Sequence, residues 1–233
     1  MKNEDLKVAL SKIWEHYLQL KLFKSEELNS VLKRKFCFAE PEHTGKILVV
    51  GFNPSYKQGN DEVITYTLPT AVHPYFTTIR KTISDRGEST YLDLFFFKYT
   101  VQAAIQKLIS NEGEAGLSFM AEQLKLSQRI IEDSNPELIL VLNKGAWAYW
   151  GVNPKYVWMG YTFEEVNDIE LNEGKLMRIT GLQDSHLRVS PEITETNLVG
   201  KMVYFSRHLN RVPSDKRKKI TNEIDAIKKK YGI

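Results

Sequence analysis

Cysteine occurs once in the 233 residues, at Cys37. A lone thiol excludes an internal disulfide framework and any four-thiolate zinc or iron–sulfur site. It also fits a reducing, cytoplasmic compartment. No G-x-x-x-x-G-K-[ST] is present, which argues against a P-loop nucleotidase. No G-x-G-x-x-G follows an apolar run and no G-x-S-x-G occurs, so dinucleotide-binding and α/β-hydrolase readings both lose their signature. The histidines, His16, His43, His73, His186 and His208, are not spaced as metal ligands. Neither a metal nor an organic cofactor is called for. Apolar runs never approach the length that spans a bilayer, and Met1–Asp5 is polar where a signal peptide would carry its apolar core; no membrane partner is expected.

What is present is an ordinary globular balance, 42% hydrophobic and 26% charged, enough to bury a core. Net charge is only +3. The basic residues are concentrated late, from Arg207 to Lys230, where they could meet phosphates or simply form the solvated face of a helix.

Residues Glu4 to Lys35 read as helix, with Leu6, Leu10, Ile13, Trp14, Tyr17 and Leu18 at three- and four-residue spacing and a break near Lys24–Glu27. Pro41 to Gly45 reads as a turn. Lys46–Gly51 is a continuous β-branched run, the pattern of a strand buried on both faces. A long loop is expected from Asn53 to Thr70, then helix over Phe76–Ser84 and a second strand over Tyr91–Phe97. Helices over Val101–Ile109 and Leu117–Asp133 precede a third strand, Glu137–Leu142, and a short helix over Gly145–Trp150. Tyr161–Ile169 and Lys175–Thr180 suggest a hairpin. A fourth short run, Met202–Ser206, leads to a helix from Pro213 to Lys230, with proline at a tolerated position.

Strands alternating with helices imply an α/β fold, a three-layer sandwich around a mostly parallel four-stranded sheet. With no repeat or linker, residues 1–233 read as one domain, opened by a helical extension over 1–40. Ligands of such sheets lie outside the carboxyl ends of the strands. Those ends carry Gly51-Phe52-Asn53-Pro54-Ser55, Asp93, Asn143-Lys144-Gly145 and Ser206-Arg207-His208-Leu209-Asn210-Arg211. The glycine permits a tight turn and the proline fixes the backbone after Asn53, whose amide can both donate and accept. Polar groups from four strand ends converging on one crevice describe an active site.

In this order of motifs the chain resembles the uracil-DNA glycosylase superfamily, its mismatch-specific branch above all. Gly51-Phe52-Asn53-Pro54-Ser55 resembles that family's Gly-x-Asn-Pro motif after the first strand. Phe76, in His73-Pro74-Tyr75-Phe76, resembles the aromatic that stacks on an extruded base. Asp93 stands at the base-reading position, and His208 with Asn210 and Arg211 resembles the second motif. The likeness covers Lys46 to Ser214, with the helical extension before it and the helix over 213–230 closing the chain. It implies hydrolysis of the N-glycosidic bond of uracil or a related or mismatched base in DNA, without cofactor. Asn53 would position water, and His208 would stabilise the departing base. Gly51, Phe52, Pro54, Ser55, Phe76, Asp93, Asn143 and Asn210 would hold the base, and Arg207, Arg211 and Ser214 the DNA phosphates. At the second motif this chain reads His208-Leu209-Asn210 where the family has His-Pro-Ser or Asn-Pro-Ser. An ionised Asp93 only accepts hydrogen bonds, so it would take a base N–H or amino group and could not donate to uracil O4.

Each residue also has a plainer reading. Asn53 could cap a turn, Phe76 could be core, Asp93 could cap a helix or pair with a lysine, and His208 could be structural. The matching alternative for the whole chain is a non-catalytic module of this fold that binds a nucleobase, nucleotide or nucleic acid.

Overall fold

A computed structural model describes residues 1–40, 46–84, 89–153, 157–209 and 212–233. The chain opens with helices α1 (Asn3–Gln19) and α2 (Glu26–Lys33), then strands β1 (Cys37–Ala39), β2 (Ile47–Gly51) and β3 (Ile64–Tyr66). Helix α3 (Pro74–Thr82) leads to β4 (Ser89–Asp93), and α4 (Gln102–Asn111) with α5 (Glu114–Ser134) leads to β5 (Leu138–Val141). A short α6 (Trp147–Trp150) precedes the hairpin of β6 (Tyr161–Glu165) and β7 (Lys175–Leu182). Strand β8 (Met202–Phe205) and helix α7 (Ser214–Tyr231) follow. The turn expected at Pro41–Gly45 lies outside the described residues.

Strands β4, β2, β5 and β8 lie side by side in that order, all parallel. Each is buried along its whole length, and the pleat sends alternate side chains to opposite faces. Leu48 and Val50 of β2, Ile139 and Val141 of β5, and Val203 and Phe205 of β8 join one core, with Leu6, Leu10 and Trp14 of α1 and Phe119, Leu124 and Ile131 of α5. Val49, Leu140 and Tyr204 join the other, with Ile79 of α3 and Ile220, Ile224 and Ile227 of α7. Helices therefore cover both faces of a mostly parallel sheet. Full burial of each such aliphatic side chain contributes roughly 1.5–3 kcal/mol, so the strand ends are anchored on both sides.

The expectation of four strands is corrected to six. The hairpin joins the sheet, with β7 antiparallel to β8 and β6 antiparallel to β7. The second strand stops at Asp93, although its apolar run continues to Phe97. The long loop after β2 contains β3, which pairs in parallel with β1 as a separate two-stranded sheet. Among the described residues, no helix is long and apolar enough to cross a membrane.

Candidate functional site

The chain leaves β2 toward β4 on one side of the sheet, and leaves β5 toward β8 on the other. The adjacent carboxyl ends of β2 and β5 therefore form a topological switch point, where open α/β sheets place their crevice. A cavity of about 330 Å³ opens there, lined among others by Phe52, Asn53, Pro54, Ser55, Tyr66, Tyr75, Phe76, Tyr91, Asp93, Gln102, Asn143 and His208.

The parallel register sets Gly51 directly beside Asp93. A Cβ at Gly51 would lie 2.0 Å from the Tyr91 hydroxyl and 2.3 Å from Asp93 Oδ1. The glycine is thus required by close approach of the neighbouring strand, and not by the tight turn expected from the sequence. The space it leaves holds a hydrogen bond from the Tyr91 hydroxyl to Asp93 Oδ1 at 2.9 Å, while the Tyr66 hydroxyl donates to Oδ2 at 3.1 Å. Asp93 is only 2% exposed. Burial pushes its carboxyl up to about 7, against the opposing pull of the two phenol donors. The phenols of Tyr66, Tyr75 and Tyr91 are in turn raised, by burial first and by the Asp93 charge second. The plainer readings of Asp93 fail: both its oxygens face tyrosines, and among the described residues no lysine pairs with it.

Asn53 is 7% exposed. Its Nδ2 donates to the carbonyls of Pro54, Phe97 and Tyr99 at 2.9, 3.2 and 2.7 Å. Three carbonyls around one end of the amide decide which end is nitrogen. Oδ1 is buried and has no hydrogen-bond partner among the described residues. A buried acceptor in that state costs about 1–3 kcal/mol unless something donates to it. The side chain is therefore more than a turn cap: it ties the loop down with its nitrogen and keeps an unpartnered acceptor at the wall of the cavity that Asn53 lines.

Phe76 is half-buried on α3. Helix α3 starts under a cap in which His73 Nδ1 accepts from the Tyr75 backbone N–H at 3.2 Å. The Phe76 ring centre lies 5.0 Å from both Tyr66 and Tyr91, edge-on to the latter. The His208 ring stacks on Tyr75 at 4.9 Å, with 18° between planes. An aromatic wall, Tyr66, Tyr75, Phe76 and Tyr91, thus borders the carboxyl and the amide. Sequence reasoning singled out Phe76 and passed over the three tyrosines, although Tyr91 lies two residues before Asp93 on the same face of β4.

Asn143 is engaged at both ends of its amide. Its Oδ1 accepts from the Gly145 N–H at 2.9 Å and its Nδ2 donates to Gln102 Oε1 at 3.0 Å. It positions Gln102, the first residue of α4, which no reading confined to strand ends would select. Phe52 is 1% exposed and packs edge-on against Phe95 at 5.0 Å, so it is wall and core at once.

A groove of about 350 Å³ adjoins the cavity, sharing Gln102, Asn143 and His208 and adding Lys144, Arg207 and Lys216. Of the expected phosphate contacts, Arg207 lines this groove, while Ser214 is exposed at the start of α7 outside its lining. Asn210 and Arg211 lie outside the described residues. A larger depression, about 560 Å³, lies at the end of β7 and shares no lining residue with the cavity. Its buried Arg188 donates to the carbonyls of Gln183 and Ser190 at 2.8 and 3.0 Å, a structural use. Among the described residues no cluster of histidine, cysteine and carboxylate side chains could hold a metal ion.

Comparison of the chain with models of known protein families gives no match, and comparison with curated proteins gives none either. The chemistry must be argued from the cavity. An aromatic wall, a buried carboxyl, a fixed acceptor and a basic groove at the mouth suit a flat, polar ring that carries phosphate nearby.

Proposed function

We propose that the protein is a DNA N-glycosylase-type hydrolase, related to the uracil-DNA glycosylases, that draws a base out of the strand and holds it in this cavity. The observation that carries the reading is Asn53, an amide tied to three carbonyls whose buried acceptor has no partner among the described residues, on the lining of a cavity walled by aromatic rings. Enzymes that act on a base take it out of the stack and hold it against aromatic faces. Asn53 Oδ1 would accept from a water held against the sugar. The water oxygen bonds to the sugar carbon, and the electron pair of the broken C–N bond leaves on the base. The protons of the water complete the free base and the sugar hydroxyl. An imidazole N–H of His208, at the edge of the cavity, would stabilise charge on the departing ring. Arg207, with Lys144 and Lys216, would hold phosphates without reading sequence. The resemblance implies a uracil-related or damaged base.

Labelled oligonucleotides, each carrying uracil, mismatched thymine, hypoxanthine or a modified cytosine or guanine, test this. Abasic product from at least one of them is expected. Strand binding that weakens with salt while no abasic site forms on any of them would leave the chain a base-binding module and discard hydrolysis.

A further inference from the structure

The buried polar groups that border the cavity are unevenly divided between donors and acceptors. Asp93 accepts one phenol hydroxyl on each oxygen, and an ionised carboxylate has about four lone-pair sites. Acceptor capacity remains on both oxygens after the tyrosines are served. Asn53, on the same lining, adds no donor, because its nitrogen faces three carbonyls and its Oδ1 is an acceptor without a partner among the described residues. Asn143 commits one N–H of its amide to Gln102 and keeps a second, so the acceptors are concentrated at the Asp93 end of the cavity.

From this imbalance we propose that Asp93 makes the cavity select a ring edge that donates hydrogen bonds, an amino group above all, over an edge led by a carbonyl. The inference rests on the reading of the cavity as a base pocket and departs from the uracil preference that the resemblance implies. A uracil or thymine edge flanks its ring N–H with two carbonyl oxygens, which would face carboxylate oxygen with no proton between them. Cytosine and guanine place an amino group on that edge, and guanine sets it beside a ring N–H, matching the two oxygens of a carboxylate. The converse site, built to donate to a carbonyl at every pH, would need an amide or a cation where this chain has Asp93, which donates only when protonated.

The groups packed around Asp93 define its titration. Tyr91 is on its own strand, Tyr66 comes from β3, Tyr75 from α3, and Cys37 from β1. Burial raises all three phenols and pushes the Cys37 thiol up to about 12, so all four stay neutral across the physiological range. Lys98, beside Cys37, donates to the carbonyls of Asn60 and Glu62. His73 and His208 line the same cavity. A donating ring binds the ionised form of Asp93, so its affinity should rise with pH and level off above the carboxyl's midpoint near 7. A carbonyl-led ring should show the opposite slope.

The experiment is calorimetric titration of the intact protein with two pairs of deoxynucleosides, deoxyguanosine against deoxyinosine and deoxycytidine against deoxyuridine, between pH 6 and 8. Within the first pair only the amino group changes; in the second it is exchanged for a carbonyl. The amino-bearing member of each pair is expected to bind more tightly, by about ten-fold more at pH 8 than at pH 6. Asp93→Asn, which can both donate and accept, should shift preference toward deoxyuridine and flatten the slope; a slope unchanged in that variant has another origin and removes Asp93 from the inference. If the variant does not fold, the wild-type preference within each pair still decides. Equal or tighter binding of the carbonyl-led members overturns the inference and leaves the base pocket standing. Binding of none of the four by folded wild-type protein overturns both.

Discussion

At the scale of single residues, the most consequential group is Asp93, because its burial is paid for in stability. An exposed aspartate ionises near 3.8, and in the folded chain burial moves it to about 7. Between those values the folded state holds a proton that the unfolded chain has lost. A carboxyl raised in this way favours the fold at low pH, loses that advantage steadily as pH climbs from about 4 to 7, and changes little above. The full difference is on the order of 4 kcal/mol for a group this deeply buried. Asp93→Asn keeps the shape and removes the titration. Its stability relative to wild type should therefore grow as pH rises from 4 to 7 and stay constant above 7, read from denaturant midpoints at several pH values. A variant less stable than wild type by the same margin at every pH would mean that Asp93 keeps an ordinary carboxylate value.

At the scale of elements, the loop between β2 and β3 is held by groups that follow β4. Lys98 is 1% exposed and its ammonium donates to the carbonyls of Asn60 and Glu62, the latter at 2.7 Å. Thr100 donates to the Tyr56 carbonyl at 3.0 Å, and the Tyr99 N–H to the Pro54 carbonyl at 2.9 Å. On its outer side the Arg34 guanidinium lies over the Tyr56 ring at 4.3 Å. Lys98→Met keeps the length of the stem and drops two charge-assisted hydrogen bonds, each of which contributes about 1.5–3 kcal/mol. Amide hydrogens of residues 56–63 should exchange at least ten-fold faster in that variant, while those of β5 keep their protection. Unchanged exchange would show that the loop holds without Lys98.

The same elements show what could be read in advance. Strands β2, β5 and β8 were legible because burial on both faces demands continuous apolar runs. The run containing β4 overshot, since Leu94–Phe97 are fully buried without being strand. There α5 serves part of the backbone, Gln123 Oε1 accepting from the Phe96 N–H at 2.9 Å and Ser127 Oγ donating to the Leu94 carbonyl at 2.7 Å, while the Phe95 N–H donates to the Phe52 carbonyl and the Phe96 carbonyl accepts from the Cys37 N–H. Such substitution of side chains for a partner strand leaves no periodicity to detect. Three-residue strands such as β1 and β3 are too short for any pattern, and the Tyr66 that β3 delivers to Asp93 was missed with them. The hairpin was recognisable from its turn, but nothing local says that it extends the sheet. Asn53 and His208 could be found because each follows an apolar run, and Asp93 because it interrupts one; Gln102, at a helix start, could not.

At the scale of the whole molecule, the question is how the basic residues are distributed around a modest net charge of +3. The C-terminal run does not act as one surface. Lys228 donates to the Ile83 carbonyl at 3.2 Å, Lys230 pairs with Asp168 at 3.0 Å, and Arg217 reaches the Val212 carbonyl at 3.4 Å, so these hold α7 to the body. Lys144, Arg207 and Lys216 instead gather at the groove that opens from the cavity, delivered by the ends of β5 and β8 and the first turn of α7. A polymer whose base enters the cavity must lay its backbone along that groove, whereas a free nucleoside need not touch it. Each phosphate neutralised by a cation contributes about −0.7 to the salt slope for single strands. The double variant Lys144→Ala, Arg207→Ala should therefore reduce the slope for an oligonucleotide by about 1.4, and its affinity at low salt by at least ten-fold, while deoxynucleoside binding holds within two-fold. An unchanged slope would route the strand elsewhere on the surface. Equal loss for polymer and monomer would instead make the two cations part of the base pocket itself, and the groove would then serve a small phosphorylated ligand and not a strand.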